Sequence, residues 1–505
     1  MKKRDLYLHN TASAKKELFV PRGGDVPVSM YCCGPTVYNY AHIGNLRTYI
    51  FEDVLKRALF ACGYRVQHIV NITDVGHLVS DADTGEDKME AGAAREGKSV
   101  WDIAAFYTEK FMADIGSLNI LQPDLWPKAT DYIPQMTDLI KTLEEKGFTY
   151  RTDDGIYFDT AKFPAYCDFA RIDPASLRAG ERVDMGDKRN ATDFALWKFS
   201  PHGAKRQMEW DSPWGVGFPG WHIECSAMAL AHIAPPLDIH CGGADHIRVH
   251  HTNEIAQSEA ATGKKFANFW LHGEFLVLDK GKMAKSGGNF VTLDTLKEKG
   301  VSPLGYRMFC YSAHYRSPLS FSYEGAAAAE QGLGNLRKLI SSCRGGNLPP
   351  ASPVVDKQRI DAVLEPFMTA LCDDLNMPRA MAALWEGLRC DSLTAAEKLA
   401  FAEEADKVLG LDLLKEADSG RTEIMEEADG YKIVLIADGS ISSKLKDIII
   451  EKAVLRKKSR AAKDFKTADQ LRDHFAQAGI SVKDMPDGAT ECVIEDVGRA
   501  ESMAV

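Results

Sequence analysis

Residues 28–73, VSMYCCGPTVYNYAHIGNLRTYIFEDVLKRALFACGYRVQHIVNIT, contain the pattern that decides the fold. The apolar run at 28–33 predicts a short buried strand, which Gly34-Pro35 ends. Apolar residues at helical spacing then predict a helix from Asn45 to Cys62, and Gly63 terminates it. Residues 65–72 predict a second strand. A strand, a helix and a strand in this order form a βαβ unit, so the sequence predicts a parallel sheet and an α/β fold.

The same alternation returns downstream of this unit. A strand is expected at 237–240, a helix at 251–262 and a strand at 269–278, whereas amphipathic helices are expected at 99–118 and 132–146. After about Pro303 the pattern is helical. We therefore expect four segments: a catalytic domain at 1–302 with an inserted region at about 115–210, a helical bundle at 303–415, a linker at 416–440, and a small domain at 441–505 that begins with one basic helix.

Composition narrows the class of protein. The chain has 505 residues, too many for one core, with 45% hydrophobic and 26% charged residues, as in globular proteins. No run reaches the roughly 18 apolar residues of a membrane span, and the N-terminus shows no secretory signal. The net charge of -11 argues against an overall basic surface but leaves room for a local RNA-binding patch. The eleven cysteines are expected to be reduced thiols in the cytoplasm.

Two loops have the composition of nucleotide-binding segments. The first, residues 34–45, leads from the first strand into a helix N-terminus, where free N–H groups attract anions. There His42 is a candidate for phosphate contact, and Gly44 allows a flat base to approach the backbone. The second loop, residues 282–289, offers Lys282 and Lys285 to neutralise a polyphosphate. Taken singly, a capped turn and a solvated basic loop are the more common explanations.

A third set of residues suggests a metal site. Cysteines occur in MYCCG at 30–34 and in GWHIECS at 220–226, and His250 and Glu254 lie four residues apart, on one face of a predicted helix. Two thiolates, an imidazole and a carboxylate suit tetrahedral zinc. Each cysteine alone is more often a buried apolar thiol, and His250 alone a satisfied polar residue, but the four together favour a metal site.

The two loops together resemble the HIGH and KMSKS signatures of class I aminoacyl-tRNA synthetases. His42-Ile43-Gly44-Asn45 matches three of four positions, and Lys282-Met283-Ala284-Lys285-Ser286 matches four of five. Asn45 and Ala284 are the departures: an amide that cannot be charged replaces a histidine, and a methyl group replaces a hydroxyl.

With the third set, the sequence closely resembles cysteinyl-tRNA synthetase over about residues 30–323, and more weakly through 368–385 and 464–479. The resemblance implies a Rossmann-type parallel-sheet catalytic domain with insertions, an all-α bundle and a small C-terminal domain. It implies one zinc ion at Cys33, Cys225, His250 and Glu254, with Cys32 as a rival for Cys33 and Cys241 as a spare thiol. The expected catalytic residues are His42, Asn45, Lys282 and Lys285.

The remaining implied residues and partners follow the same family. ATP with Mg²⁺ is expected at Gly34, Thr36, His42, Gly44, Asn45 and Lys285, and cysteine in a pocket lined by Thr73, Trp221, His222 and His240. A pocket alone separates cysteine poorly from serine, whereas zinc binds thiolate far better than alcohol. The implied partner is tRNA(Cys), bound by a monomer whose basic residues at 454–466 contact phosphate.

Two alternatives remain open at this stage. One is an adenylate-forming ligase that passes cysteine to a small amine, as in mycothiol synthesis; the segment 441–505 argues against it. The other is a synthetase-like protein that binds RNA without catalysis; intact His42 and Lys285 argue against that.

Overall fold

The structure of the protein is a computed structural model that divides into two compact units. These are residues 1–413 and 414–505, called here the first unit and the second unit. The described residues are 4–23, 26–75, 88–171, 188–200, 206–278, 281–282, 290–344, 355–415, 421–438, 441–485, 488–494 and 497–501. Among them, no helix is long and apolar enough to cross a membrane.

The described strands of the first unit, in chain order, are β1 (Tyr7–Asn10), β2 (Lys15–Leu18), β3 (Val28–Cys32), β4 (Val66–Val70), β5 (Thr149–Arg151), β6 (Gly155–Phe158), β7 (Phe194–Phe199), β8 (Gly217–Pro219), β9 (Leu237–Gly243), β10 (Ala267–Gly273), β11 (Leu276–Leu278), β12 (Gly281–Lys282) and β13 (Leu319–Phe321). Its described α-helices are α1 (Ile43–Ala61), α2 (Lys88–Glu96), α3 (Val100–Ser117), α4 (Ile133–Glu145), α5 (Trp221–His232), α6 (His250–Thr262), α7 (Leu293–Glu298), α8 (Pro303–Cys310), α9 (Tyr323–Arg344), α10 (Lys357–Cys372), α11 (Met377–Arg389) and α12 (Ala395–Leu409).

A parallel four-stranded sheet positions the site. Its strand order is β10-β9-β3-β4, and α1 connects β3 to β4, which confirms the predicted βαβ unit. All five residues of β3 are buried because parallel sheets are covered on both faces. The carboxyl ends of β3 and β9 lie side by side, and ligands of open α/β sheets bind at such ends.

The inserted region contains a second sheet that the sequence did not reveal. The strands β5, β6, β7 and β8 pair in this order, all antiparallel. Every residue of β6 and nearly every residue of β7 is buried, so neither strand shows the polar alternation of a half-exposed strand. The helices predicted at 99–118 and 132–146 are confirmed as α3 and α4.

Three sequence-based expectations need correction in the first unit. The predicted strand at 269–278 is two strands, because β10 ends at Gly273 and β11 belongs to another sheet. The region after Pro303 is not purely helical, since β13 pairs in parallel with β11. The boundary expected at 302/303 separates no compact units, because Arg307 of α8 is buried against α1 and the end of α12.

The second unit contradicts the predicted linker at 416–440. Its elements are β14 (Arg421–Ala428), β15 (Tyr431–Asp438), α13 (Ser443–Ala461), α14 (Phe465–Gln477), β16 (Ile480–Asp484), β17 (Thr490–Ile494) and α15 (Val497–Glu501). The first two strands form a hairpin at one edge of a four-stranded sheet of order β14-β15-β17-β16. The single basic helix expected at 454–466 is also wrong, because α13 ends at Ala461 and α14 begins at Phe465.

Candidate active site and metal centre

Four side chains from three elements converge behind the carboxyl end of the parallel sheet. Cys33 follows β3, Cys225 lies on α5, and His250 and Glu254 lie one turn apart on α6. One ligand atom from each lies within 4.8 Å of the others, and all four residues are buried. The structure thus brings together the full set of ligands that the family resemblance implied.

The direction of each side chain on β3 separates Cys33 from its rival. Successive side chains of an extended strand point to opposite faces. Cys33 faces the cluster, whereas Cys32 contacts Cys241 and Glu52 of α1 on the other face. Among the described residues, neither Cys32 nor Cys241 belongs to a potential metal cluster.

The cluster has the chemistry of a cation site. The Oε2 atom of Glu254 is buried and has no hydrogen bond of good geometry within the described part of the chain. Nε2 atoms of three histidines lie 3.2–3.7 Å from it, from His240, His250 and His251. A buried carboxylate oxygen among thiols and imidazoles, without a hydrogen bond, suits a bound metal cation. These residues therefore fit zinc.

A second set of four residues overlaps the first. Cys33, His240, His251 and Glu254 also lie within 4.8 Å of one another. His251, however, is already held on both sides: Nδ1 lies 2.8 Å from Nε2 of His272, and Nε2 lies 3.3 Å from the sulfur of Cys33. His272 in turn lies 2.7 Å from the hydroxyl of Thr11. This arrangement suits His251 to orient Cys33 from behind, as outer residues do in metal sites.

Burial governs the protonation of the thiols. Burial and the contact with Cys225 raise the pKa of Cys33 well above its usual value. The pKa of Cys225 is raised as well, because burial and the nearby Glu254 outweigh its hydrogen bond to Cys33. Both groups are thus thiols in the metal-free protein, and binding a metal requires the release of their protons.

The first signature loop forms the N-terminus of α1. The Nδ1 atom of His42 accepts a hydrogen bond from the N–H of Asn45 at 3.0 Å, and the Asn45 side chain accepts one from the N–H of His42. Together they form a capping box, which fixes the direction of the His42 ring. A Cβ atom at Gly44 would lie 3.0 Å from that ring, so any other residue there would have to displace the His42 ring slightly.

A cleft of about 250 Å³ joins this loop to the metal cluster. Residues expected at the nucleotide or cysteine sites that line it are Gly34, Thr36, Asn45, Thr73 and Trp221. Three of the four cluster residues also line it: Cys33, Cys225 and His250. The cleft therefore places the first signature loop, predicted to bind a nucleotide, and a candidate metal centre in one space.

Two residues expected to line the cysteine pocket contact the metal cluster directly. Among the described residues that line the cleft, His222 and His240 do not appear. Nδ1 of His222 lies 3.1 Å from Nδ1 of His250, and Nε2 of His240 lies 3.2 Å from Glu254, so both contact cluster residues from behind. Both are essentially fully buried, as are Thr73 and Cys225, which do line the cleft, so the expected place of His222 and His240 beside cysteine stays a prediction.

The second signature loop lies mostly outside the described residues. Lys282 ends β12, its side chain is not described, and Lys285 falls in the part of the chain that is not described. The expectation that these lysines close over phosphate therefore stays a prediction.

Sequence reasoning missed Asn71, which links the first signature loop to the metal cluster. Its Oδ1 accepts a hydrogen bond from the N–H of Gly34 at 2.9 Å, and its Nδ2 donates to Thr73 at 3.1 Å. The thiol of Cys225 donates to the same Oδ1 at 3.7 Å. The signal available was position: Asn71 directly follows β4, where the carboxyl ends of parallel strands meet.

Comparisons with known proteins show which family the chain belongs to. Residues 20–331 match a family model described as the catalytic domain of class I (C) tRNA synthetases. Cysteine--tRNA ligase 1 of Burkholderia lata is 48% identical over 486 residues, 96% of each chain, and cysteine--tRNA ligase of Treponema denticola is 42% identical over 95% of this chain and 98% of the relative. A crystal structure of Mycobacterium tuberculosis methionyl-tRNA synthetase with methionyl-adenylate aligns with a TM-score of 0.52 at 17% identity, over 76% of this chain and 90% of that chain, a likeness of fold.

Proposed function

The chain belongs to the cysteine--tRNA ligase family of class I aminoacyl-tRNA synthetases, and we propose that it selects L-cysteine with one zinc ion held by Cys33, Cys225, His250 and Glu254. Its activity is that of a ligase that forms aminoacyl-tRNA. The observation that carries the metal proposal is the convergence of these four buried side chains on a Glu254 oxygen that lacks a hydrogen bond among the described residues.

The reaction proceeds in two steps. The carboxylate of cysteine attacks the α-phosphate of ATP, which forms cysteinyl-adenylate and releases pyrophosphate. A hydroxyl of the terminal adenosine of tRNA(Cys) then attacks the acyl carbon and releases AMP. Neither step needs a nucleophile from the protein, so catalysis depends on positioning and on stabilisation of charge.

The N-terminus of α1 holds the ATP phosphates. The free N–H groups and the dipole of this helix attract anions, and Gly34 and Thr36 line the cleft before it. Because Nδ1 of His42 is occupied by the N–H of Asn45, the other ring nitrogen is the one oriented for phosphate. Lys282, Lys285 and Mg²⁺ complete the neutralisation of the triphosphate.

The cleft orients cysteine toward the metal centre. Zinc, when bound, supplies preference for a thiolate over the hydroxyl of serine. Thr73, fixed by Asn71, and Trp221 line the cleft beside Cys225 and hold the amino acid. His222 and His240 act one step further out, by orienting His250 and Glu254.

The second unit and the bundle at 303–415 are the proposed tRNA-binding parts of a cytoplasmic monomer. Most basic side chains of α13 are used within the unit: Arg456, Lys457 and Arg460 pair with Asp484, and Lys458 pairs with Asp429. Among the described residues, Lys463 and Lys466 enter no ion pair, and we assign them to contact with the tRNA backbone.

The test is charging of total tRNA with labelled cysteine, with ATP and Mg²⁺, and with labelled serine as the control. We expect ATP-dependent label from cysteine alone, on one tRNA species. Pyrophosphate release without charged tRNA would instead indicate a ligase for a small amine, and the absence of both would refute the catalytic assignment.

A matched pair of variants tests the metal ligands in the same assay. Cys33→Ser should remove most bound zinc and most charging, whereas Cys32→Ser, one residue earlier but on the other face of β3, should keep both. Zinc content is measured by atomic emission on each purified protein. Equal zinc in the two variants would contradict the assignment of Cys33.

A further inference from the structure

Two buried cysteines outside the metal cluster face each other. The Sγ atoms of Cys62 and Cys372 lie 3.6 Å apart, although the two residues are 310 positions apart in the chain. Cys62 caps the C-terminal end of α1, and Cys372 is the last residue of α10. Among the described residues, neither belongs to a candidate metal group. The fold thus brings two thiols together at a place that the proposed function does not use.

The separation of the two sulfurs is close to that of a disulfide. The bond joins sulfurs at about 2.05 Å, so the two atoms must approach each other by roughly 1.5 Å. Both residues stand at helix ends, where the backbone adjusts more readily than within a helix. Both also lie in the first unit, so the bond joins two parts of one compact unit.

The pair lies close to the surface of the first unit. Cys62 has no exposed surface, whereas Cys372 has 9%. The side chain of Arg4 is 39% exposed and pairs with Glu365 of α10, and its charge acts on both sulfurs. A small oxidant therefore has a short path to the pair, and it reaches Cys372 first.

The two thiols differ in their readiness to ionise. The hydrogen bond from Cys62 lowers the pKa of Cys372, and the charge of Arg4 acts in the same direction, against burial. The same bond and burial raise the pKa of Cys62. Because the thiolate is the nucleophile in thiol chemistry, Cys372 is suited to react first with an oxidant and Cys62 to react second.

We propose that Cys62 and Cys372 form a redox-sensitive pair, in which hydrogen peroxide oxidises Cys372 and Cys62 then closes a disulfide between the ends of α1 and α10. The thiolate of Cys372 attacks one peroxide oxygen, the O–O bond breaks, and the sulfur becomes a sulfenic acid. The hydroxide that leaves takes up the proton released by the thiol. The sulfur of Cys62 then attacks that of Cys372, and its proton leaves with the sulfenic oxygen as water. Two thiols are thus oxidised, one peroxide is reduced to two waters, and a dithiol reverses the change.

The bond should strengthen the first unit without disturbing the chemistry. Cys62 and His42 lie at opposite ends of α1, whose 19 residues span about 28 Å at a rise of 1.5 Å each. A disulfide stabilises mainly by restricting the unfolded chain, and more so for long loops. The oxidised protein should therefore unfold at a higher temperature and charge tRNA at the rate of the reduced protein.

Peptide mapping tests whether the bond forms. Reduced protein with zinc in the buffer is treated with hydrogen peroxide, its free thiols are blocked with iodoacetamide under denaturing conditions, and it is digested with trypsin without reduction. Cys62 lies in the tryptic peptide 58–65 and Cys372 in 360–379, each with one cysteine. We expect a linked peptide about 2 Da lighter than the two thiol peptides together, which dithiothreitol separates. Cys390, which is partly exposed, reports that the oxidant acted. Oxidised Cys390 with the two peptides unlinked would overturn the proposal.

Variants test the order of the two steps and the effect of the bond. In Cys62→Ser, dimedone should trap a sulfenic acid at Cys372, whereas Cys372→Ser should give none at Cys62. The matched control is Cys310→Ser, which removes a thiol of α8 that is 7% exposed and should leave the linked peptide intact. Peroxide should raise the unfolding temperature of wild type and of this control by roughly 5 °C, and that of Cys62→Ser not at all.

Three results would contradict this account. An equal rise of the unfolding temperature in Cys62→Ser would assign the effect to another pair of thiols. A sulfenic acid at Cys62 in Cys372→Ser would reverse the order of the steps. Loss of charging in oxidised wild type but not in oxidised Cys62→Ser would show that the bond does reach the site. None of these results depends on the zinc ligands or on the choice of amino acid.

Discussion

His68 is a residue whose surroundings oppose its ionisation. It lies on β4 with 3% of its surface exposed, and neither ring nitrogen has a hydrogen bond among the described residues. Burial, with the nearby charge of Lys56, lowers the pKa of His68 from its usual 6.5 to about 3. The folded protein thus keeps this ring neutral at pH values where an unfolded chain would protonate it.

This difference predicts a pH-dependent loss of stability. Between pH 6.5 and about 3 the unfolded state binds a proton at His68 that the folded state does not, so the free energy of unfolding falls as the pH falls. His68→Leu should remove the part of this pH dependence that comes from His68. Urea unfolding of both proteins at pH 6.5 and pH 5 should show that wild type loses about 2 kcal/mol more than the variant. Parallel losses in the two proteins would show that His68 is not the group responsible.

At the scale of elements, the break between α13 and α14 depends on one lysine in an unusual conformation. Lys463 has a φ of 61°, in the left-handed region. Its N–H bonds to the carbonyl of Arg460, and the N–H of Asp464 bonds to that of Ser459, which closes the helix in a Schellman motif. Glycine is the residue favoured at this position, because a side chain strains the left-handed backbone.

Replacing this lysine should therefore strengthen the second unit. Lys463→Gly is expected to raise its free energy of unfolding by roughly 0.5–1 kcal/mol, since relief of strain outweighs the added freedom of the unfolded chain. Lys463→Ala, which removes the charge and keeps the strained backbone, is the control and should give no such gain. Thermal unfolding of the three proteins measures the effect, and equal gains in both variants would assign it to charge instead.

Elements in which apolar residues recur at helical or strand spacing were predictable from sequence. Elements whose burial on both faces removes that spacing were not. The helices α3 and α4 carry a helical pattern that burial on one face preserves, and β3 shows as an apolar run that Gly34-Pro35 ends. The buried strands β6 and β7 lack alternation. The hairpin of β14 and β15 did carry a signal, since Asp429-Gly430 has positive φ at both residues, as a tight hairpin turn requires. Its acidic composition obscured that signal.

In the candidate site, too, some residues were predictable from local spacing in the sequence and others were not. Side chains held by local spacing, such as His250 and Glu254 on one helix, were placed correctly from sequence. A residue that acts through contacts between distant segments was not: Asn71 meets Cys225 only after the sheet and α5 are packed. The assignment of His222 and His240 to the cysteine pocket stays a prediction; the structure places each against a cluster residue, His250 and Glu254 respectively.

At the scale of the whole molecule, one buried ionic cluster holds the first unit together. Arg307 of α8 has no exposed surface and pairs with Asp53 of α1, which also pairs with Arg57. The guanidinium of Arg307 donates to the carbonyl of Leu118, one residue after the end of α3, and to the carbonyl of Leu409, the last residue of α12. Burial alone would raise the pKa of Asp53, but the two arginines hold it below its usual value, so the carboxylate stays charged.

Removal of Arg307 should consequently destabilise the first unit far more than removal of a surface ion pair. In Arg307→Met the charge of Asp53 keeps only Arg57 as an ion-pair partner, the carbonyl of Leu118 loses the donor that Arg307 supplied, and that of Leu409 keeps only the hydroxyl of Tyr311, so the free energy of unfolding should fall by about 3–5 kcal/mol. Lys141→Met, which breaks an exposed pair with Asp138, should cost less than about 1 kcal/mol. Denaturant unfolding of the first unit measures both. Similar stabilities of the two variants would contradict this account. The cluster also joins the end of α12 to α1, whose N-terminus forms the proposed nucleotide loop. Arg307→Met should therefore lower ATP affinity as well.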